Sequence, residues 1–309
     1  MVRLKGVDQS GPPRYLGNRI PAFSRFEHSV GVAALLEKAG APLKEQIAGL
    51  LHDASHTVFS HVGDYIFAKD INDNVEDSYQ DKVHLEQMQK SGIQKILKEY
   101  DMDISVLNVK PDSYPMLEQQ LPDMCADRIQ YNIHTGVICG LTTKIEAKAI
   151  IDDIRFSDGK WFFTDPLLAA KFANLSLQFT EKFWGAKWNT SMNIHFAMAL
   201  KRALHLKIIQ MEDLFTTDDV VLKKLKESKD QVIVLCLKQC EQPTKEIPGQ
   251  SYDEKPFKPK FRGIDPLIKN EETEEFRRLS EIDQKFKNSY EAVKKWCQQG
   301  YNMAILSVQ

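Results

Sequence analysis

Four of the eight histidines in this 309-residue chain lie between His28 and His61, and that concentration constrains the chain more than any other feature. They fall in the runs Arg25-Phe26-Glu27-His28-Ser29, His52-Asp53-Ala54-Ser55-His56 and Phe59-Ser60-His61, with Asp64 following. Histidines that only satisfy hydrogen bonds in a core would scatter along the sequence. Imidazoles interleaved with carboxylates require a fold that gathers them around one point. A His-Asp doublet alone would carry little weight, because so short a motif recurs by chance.

The scaffold around this cluster reads as helix. Apolar residues recur at three- and four-residue spacing with charges between them, which predicts helices over about 26–38, 43–55, 79–99, 117–134, 143–152, 166–187, 189–207, 217–227 and 271–299. One interruption is clear: Asp158-Gly159 stands between Arg155-Phe156 and Trp161-Phe162-Phe163, a two-residue β-hairpin signal. Pro, Lys and Gly gather from Gln242 to Pro266, and a strand-like segment, Tyr301 to Val308, follows Gly300. The expected class is therefore mainly α, with a small β-hairpin and a C-terminal α+β appendage. We divide it into a domain over 1–215 and a C-terminal region over 216–309.

Composition removes several function classes. With 41 Lys+Arg against 43 Asp+Glu the net charge is −2, so no basic excess exists to hold a nucleic-acid backbone. No apolar run approaches the ~20 residues that cross a bilayer, and no secretory apolar core opens the chain. The five cysteines, Cys125, Cys139, Cys236, Cys240 and Cys297, form no CxxC pair. They suit reduced thiols in a cytoplasmic protein, with Cys236 and Cys240 as two small core residues on one helix face. A homo-oligomer is compatible with all of this.

The histidine runs carry a specific resemblance. The chain resembles the HD-domain phosphohydrolases over roughly residues 3 to 190, and within them the SAM-and-HD-type and bacterial deoxynucleoside triphosphate triphosphohydrolases. Arg25 to His28 match the family's R-F-E-H-S motif, and His52 to Asp64 match its H-D-x-x-H-x-x-x-S-H-x-x-D run. Ala126-Asp127-Arg128-Ile129-Gln130-Tyr131 resembles the later helix that supplies a final metal carboxylate. The chain opens within what resembles the family's R-L segment, so a stretch that normally precedes it is absent.

The resemblance implies a helical HD-domain fold and one divalent transition metal (Mn, Fe, Ni, Co or Zn, with Mg as a further candidate). Its ligands would be His28, His52, Asp53 and Asp127. Two imidazoles with two carboxylates make a mixed N/O set suited to such ions. Asp123, one turn before Asp127, competes for the last place, while Arg128 and Tyr131 favour Asp127 by register. His56, one turn beyond His52, is expected to overlook the metal as a catalytic residue, a phosphate contact or proton donor. Asp64 and His84 are expected to form an acid/base pair. Gln9, Arg25, His61, Tyr131 and Lys187 are the expected substrate contacts, the substrate being a small phosphorylated molecule, with a nucleotide favoured.

Departures from the family pattern matter too. Gln130 stands where an Asp is usual, and Thr135 follows His134 where an R-D pair is usual. A loose alignment on Lys187 puts Ser176 in place of a phosphate-gripping Arg, which implies no strong preference for triphosphates. Lys258, Lys260 and Arg262 alternate along an expected strand and could project from one face. Two other classes stay open. One is an inactive nucleotide-binding or regulatory protein, and the other a di-iron oxygenase, which would need further ligands drawn from His56 and His84.

Overall fold

The computed structural model describes residues 1–68, 78–109, 112–270 and 272–307. A 3-10 turn (Val2–Gly6) is followed by helices α1 (Pro12–Tyr15), α2 (Arg25–Lys38), α3 (Leu43–Leu51), α4 (Val62–Phe67), α5 (Tyr79–Lys90) and α6 (Ile93–Glu99). Next come α7 (Ala126–Ile138), α8 (Lys144–Asp153), strands β1 (Arg155–Ser157) and β2 (Lys160–Phe163), α9 (Pro166–Phe179), a π turn (Thr180–Trp184) and α10 (Lys187–His205). The remainder holds α11 (Asp218–Glu227), α12 (Gln231–Glu241), β3 (Tyr252–Phe257), β4 (Leu267–Lys269), β5 (Phe276–Arg278), α13 (Leu279–Ile282), α14 (Gln284–Gln299) and β6 (Tyr301–Leu306). The class is mainly α with small β elements, as the periodicity predicts. Among the described residues no helix is long and apolar enough to cross a membrane.

Where helix ends differ from expectation, a local group accounts for the difference. Helix α3 stops at Leu51, short of residue 55, and His52 Nδ1 donates to Gly49 O at 2.7 Å. The next amides bond three residues back, Ala54 N to Leu51 O at 2.9 Å and His56 N to Asp53 O at 3.0 Å. A side chain that takes a helix carbonyl competes with the ladder. His56 is therefore not one helical turn above His52 but sits beyond the helix in a series of turns.

The expected helix over 79–99 breaks at Gly92, whose φ of +78° is the left-handed conformation that ends α5 and opens α6. Helix α7 starts later than 117 because the amides of Met116 and Leu117 donate to the buried Glu45 carboxylate at 2.7 and 2.9 Å, and Pro122 has no amide. The segment 271–299 divides into β5, α13 and α14, the last restarted by Asp283 accepting from Phe286 N at 3.0 Å. Helix α12 lies outside the helix ranges read from periodicity, and the i,i+4 spacing of Cys236 and Cys240 is its one sequence signal. Asp230 caps it, and its inner face buries Cys236 and Cys240, free thiols in the core as expected.

The predicted hairpin forms, with Asp158 and Gly159 at φ +53° and +72°. It becomes half of a four-stranded sheet of order β1-β2-β4-β5, in which β2 and β4 run parallel. Strands from beyond residue 215 thus complete a sheet begun before it. Strand β6 pairs antiparallel with β3 and covers 301–306, while Val308 lies outside the described residues. The basic stretch is not a strand: β3 ends at Phe257, and Pro259 offers no amide for a ladder.

Two large cores fill the molecule. One lies under α2, α7, α9 and the hairpin and takes in Ile264, Ile268, Leu279 and Phe286 from the C-terminal part. The other gathers Val58, Phe59 and Val62 with α10, α11, α12 and Leu306. The histidine runs span both, since Val32 and Leu36 of α2 belong to the first and Phe59 to the second.

Candidate metal centre

Three separate pieces of chain bring their polar ends together. A capping box, Ser24 with Glu27, fixes the start of α2, so Arg25 and His28 lie one turn apart on a face that points inward. The turn after α3 supplies His52 and Asp53, and the first turn of α7 supplies Asp127. His28 is fully buried and Asp53 is 2% exposed.

The donor atoms converge. His28 Nε2 lies 2.9 Å from Asp127 Oδ1 and 3.6 Å from Asp53 Oδ2, and His52 Nε2 lies 3.4 Å from Asp53 Oδ1 and 3.8 Å from Asp127 Oδ1. The donor atoms of His28, His52 and Asp53 all fall within 4.8 Å of one another. Both Nε2 atoms are buried and lack a hydrogen-bond partner, so these approaches do not have hydrogen-bond directionality.

The tautomers explain why. His28 Nδ1 donates to Gln130 Oε1 at 2.5 Å and His52 Nδ1 to Gly49 O at 2.7 Å, which leaves each Nε2 lone pair turned toward the carboxylates. Two bare imidazole nitrogens facing two carboxylates fit a divalent cation. The electrostatics agree. Burial opposes charge on Asp53, but Arg25, His52 and His56 outweigh it and hold the carboxyl well below its usual range. Burial likewise opposes ionisation of Asp127, and His28 and His52 depress it further still. On His52 burial is outweighed by Asp53 and Asp127, which push the imidazole up to about 9. Positive charge is strongly favoured at this point.

Around the centre the expected residues take particular places. Arg25, 2% exposed, donates from Nη1 to Asp53 at 2.6 Å and from Nε to Ser60 Oγ at 2.9 Å, and its Nη2 lies 3.4 Å from His61 Nε2. His56 Nε2 lies 3.3 Å from Asp53 Oδ1, and burial together with Arg25 drives its imidazole down to about 3. Asp64 does not pair with His84. It lies 3.5 Å from His61 Nδ1, three residues earlier on the same turn, and accepts from Tyr79 N at 2.9 Å. Burial works against that carboxylate, yet His61 outweighs it and holds the group at about 2. His84 instead shares a 2.9 Å hydrogen bond with Ser55 Oγ, and its Nε2 is buried with no partner. Gln9 Oε1 is also buried and unpartnered, and the Tyr131 ring lies 6.5 Å from that of His28.

Some candidates point elsewhere. Asp123 precedes α7 and pairs with Arg278 at 2.5 Å, so Asp127 alone of the two reaches His28. Lys187 holds its ammonium 5.3 Å from the centre of the Tyr301 ring, and no hydrogen bond or ion pair joins it to the cluster among the described residues. Ser176 is buried and receives Ile264 N at 2.9 Å, so it binds a neighbouring segment and faces no ligand. A second grouping of Glu118, Cys125 and Asp127 lies nearby, but Arg128 already neutralises Glu118 at 2.9 Å.

Sequence reasoning missed three supports. Gln130 looked like a departure, and it is the acceptor that orients His28; Gly31 makes room for it, since a Cβ there would come within 2.5 Å of the amide. The residue pair Phe59 and Ser60 takes φ values of +57° and +56°, a strained turn that aims Ser60 and His61 at Arg25. Asp218, far along the chain, holds that turn by accepting from Phe59 N at 2.7 Å. Only the spacing Phe59-Ser60-His61 hinted at any of this.

With this geometry in view, comparison with known proteins gives a consistent class. The HD domain family model matches residues 25–103, which contain His28, His52, Asp53, His56 and Asp64. The chain is 34% identical over 267 residues to uncharacterized protein YdhJ of Bacillus subtilis, covering 86% of this chain and 80% of that one. It is 33% identical over 153 residues to the metal-dependent phosphohydrolase cns2 of Cordyceps militaris, spanning 50% of this chain and 42% of that protein. The crystal structure of a phosphohydrolase from Bacteroides thetaiotaomicron superposes with a TM-score of 0.69 at 15% identity, over 99% of this chain and 93% of that one, and so shares its fold. Residues 25–103 form an HD domain, and the chain belongs to the same family as YdhJ.

Proposed function

We propose that this protein hydrolyses a phosphate ester of a small molecule, with a nucleotide as the favoured substrate, using one divalent transition metal held by His28, His52, Asp53 and Asp127. The observation that carries this reading is the pair of buried, unpartnered Nε2 atoms facing two carboxylates whose ionised forms are strongly favoured. A cation bound there supplies Lewis-acid polarisation of a phosphoryl oxygen and acidifies water.

The chain's own groups do the rest. Gln130 and Gly49 keep both imidazoles in the tautomer that leaves Nε2 free. Arg25 holds Asp53 by one carboxylate oxygen, leaving Oδ1 turned toward His52 and His56. His61, oriented by Asp64 and nearly half exposed, is placed to move a proton at the mouth of the site. His84, oriented through Nδ1 by Ser55, has a free Nε2 for a proton donated to a leaving group. Gln9 and Tyr131 complete the substrate side. The five free cysteines suit a reduced cytoplasmic setting.

The test is phosphate release from nucleoside mono-, di- and triphosphates and simple esters, each with Mn, Fe, Ni, Co, Zn or Mg added back after chelation. Release is expected with a transition metal and without a strong preference for triphosphates. Two bound irons with no phosphate release would replace this reading by the oxygenase one, and binding without turnover by the regulatory one. The choice of carboxylate has its own check. Asp127→Asn is expected to lower metal affinity by ~10-fold or more, the scale of a lost charged contact, whereas Asp123→Asn leaves it unchanged. Equal losses, read by metal titration, would mean that Asp127 is not a ligand.

A further inference from the structure

The cations that surround the proposed centre are nearly all committed to the protein. Arg25 is taken up by Asp53, Ser60 and His61. Arg128 donates to Glu118 at 2.9 Å and to Asp123 O at 3.1 Å. Lys187 lies over Tyr301. An anionic substrate therefore needs positive charge from another part of the chain.

The segment 259–265 brings that charge in. It is tied down along its length: Pro259 packs against Gly185, Phe261 meets the Tyr290 ring edge-on at 5.1 Å, Ile264 N donates to Ser176 Oγ at 2.9 Å, and Asp265 N donates to Pro122 O at 3.1 Å. The last two ties hold it against α9 and against the chain just before α7. Phe261 turns into the core and separates Lys260 from Arg262. Arg262, half-buried, has Tyr131 and Tyr65 as its electrostatic neighbours, one beside His28 and the other adjoining Asp64. Lys260 is influenced by Arg262, Asp64, Arg128 and Asp81.

Among the described residues neither Lys260 nor Arg262 makes a hydrogen bond or an ion pair. Lys260 is exposed and Arg262 half-buried, and with no carboxylate in ion-pair contact both stay available to an anion. The Lys260 ammonium is depressed, first by burial and then by Arg262, with Asp64 and Asp81 opposing.

We propose that Arg262, assisted by Lys260, is the substrate's phosphate-binding group, delivered to the metal centre by the C-terminal segment through its docking on Ser176. The proposal rests on the phosphohydrolase reading above and deepens it. A guanidinium there offers a planar pair of donors to phosphate oxygens. Ser176 then has a defined task, since its hydroxyl sets the position of the chain two residues after Arg262.

The test uses the full chain loaded with the metal that supports turnover. Orthophosphate binding is measured by calorimetry for the wild type and for Arg262→Ala, Arg262→Lys and Lys260→Ala, alongside KM, kcat, metal content and thermal midpoint. Lys258→Ala, whose side chain lies against Gly300, is the control. Arg262→Ala is expected to weaken phosphate binding and raise KM by roughly 10- to 150-fold, the loss of one or two charge-assisted contacts. Metal content and midpoint should not move. Arg262→Lys should recover part of the loss, Lys260→Ala should lose less, and Lys258→Ala nothing. Wild-type phosphate affinity in Arg262→Ala, with metal and turnover intact, would overturn this inference and leave the hydrolase reading standing. A fall in midpoint without a selective loss of phosphate would make Arg262 structural and also overturn it. A metal-loaded wild type that neither binds phosphate nor releases it from any ester would bring down both.

Discussion

Replacing His52 by Ala and Asp53 by Asn together is expected to abolish retention of a transition metal through dialysis and to cut phosphate release by about 10³-fold or more. The size follows from removing two of four donors, since metal assistance is worth several kcal/mol of barrier and each 1.36 kcal/mol is tenfold. Asparagine is chosen at residue 53 for a reason. Arg25 is buried and bonded to Asp53 at 2.6 Å, so alanine there would strand a buried cation at a cost of roughly 3–5 kcal/mol, whereas asparagine keeps an acceptor for it. The double variant should therefore keep its helical circular dichroism. Asp53→Ala should be markedly less stable than Asp53→Asn in denaturant. Chelation should lower the thermal midpoint of the wild type and leave that of the double variant where it was, because only the wild type has a ligand to lose. Full metal occupancy in the double variant would remove the site assignment altogether.

How much of this was legible in the sequence depends on how far apart the interacting residues lie. His28, His52, Asp53, His56 and His61 stand in three short runs, and within each run nearby chain brings such groups together. The place of Asp127 beside His28 could be read because a carboxylate followed by Arg128 and Tyr131 has a recognisable register. The Asp64–His84 pairing was wrong for a local reason: His61 lies on the same turn as Asp64 and is oriented toward it. Helix boundaries failed where side chains intercept backbone groups, as Glu45 does at Met116 and Leu117 and His52 does at Gly49. Periodicity does not register such bonds.

The remaining parts were illegible because they join residues roughly a hundred or more apart. Gln130 looks like a loss of charge until His28 is seen beside it. Ser176 looks like a missing contact until Ile264 is seen on its hydroxyl. The boundary at 215 follows composition, yet Arg3 reaches both Thr216 O and His56 O, at 3.1 and 2.7 Å, and β4 extends the hairpin sheet. One sequence gives no means of pairing such positions.

Asp218 shows what that long-range joining is worth, and Asp218→Asn is the second variant expected to have a large effect. The carboxylate is fully buried at the first turn of α11 and accepts from Phe59 N through Oδ1 at 2.7 Å and from Asp8 N through Oδ2 at 2.8 Å. Asparagine has one acceptor oxygen, so one of those buried amides loses its partner, at a cost of about 1–3 kcal/mol. Phe59 and Ser60 keep their positive φ only while such clamps hold, and a relaxed turn moves Ser60 and His61 away from Arg25. A displacement on the order of 1 Å in a catalytic group can cost about 10²-fold. Turnover should fall by roughly that much with metal content unchanged. The effect on stability depends on pH. Burial pushes Asp218 up to about 7, against the opposing pull of the Asp8 and Phe59 amides, and it pushes Asp8 up to about 6; Tyr15 and Arg3 are the other titratable groups that face Asp218. A carboxyl whose folded pKa is raised binds a proton that the unfolded chain has already released. Its contribution is thus present below an unfolded pKa of about 4 and is lost as pH rises through about 7, at up to ~1.4 kcal/mol per pH unit. Asparagine does not titrate, and comparing the two proteins cancels the groups that do not face residue 218, leaving Asp8, Tyr15 and Arg3 as the coupled ones. The wild type should exceed Asp218→Asn in denaturant stability at pH 5, and the gap should narrow by at least ~1 kcal/mol at pH 8. A gap that widens with pH would mean that the two amide donors prevail over burial and that the ionised form holds the turn.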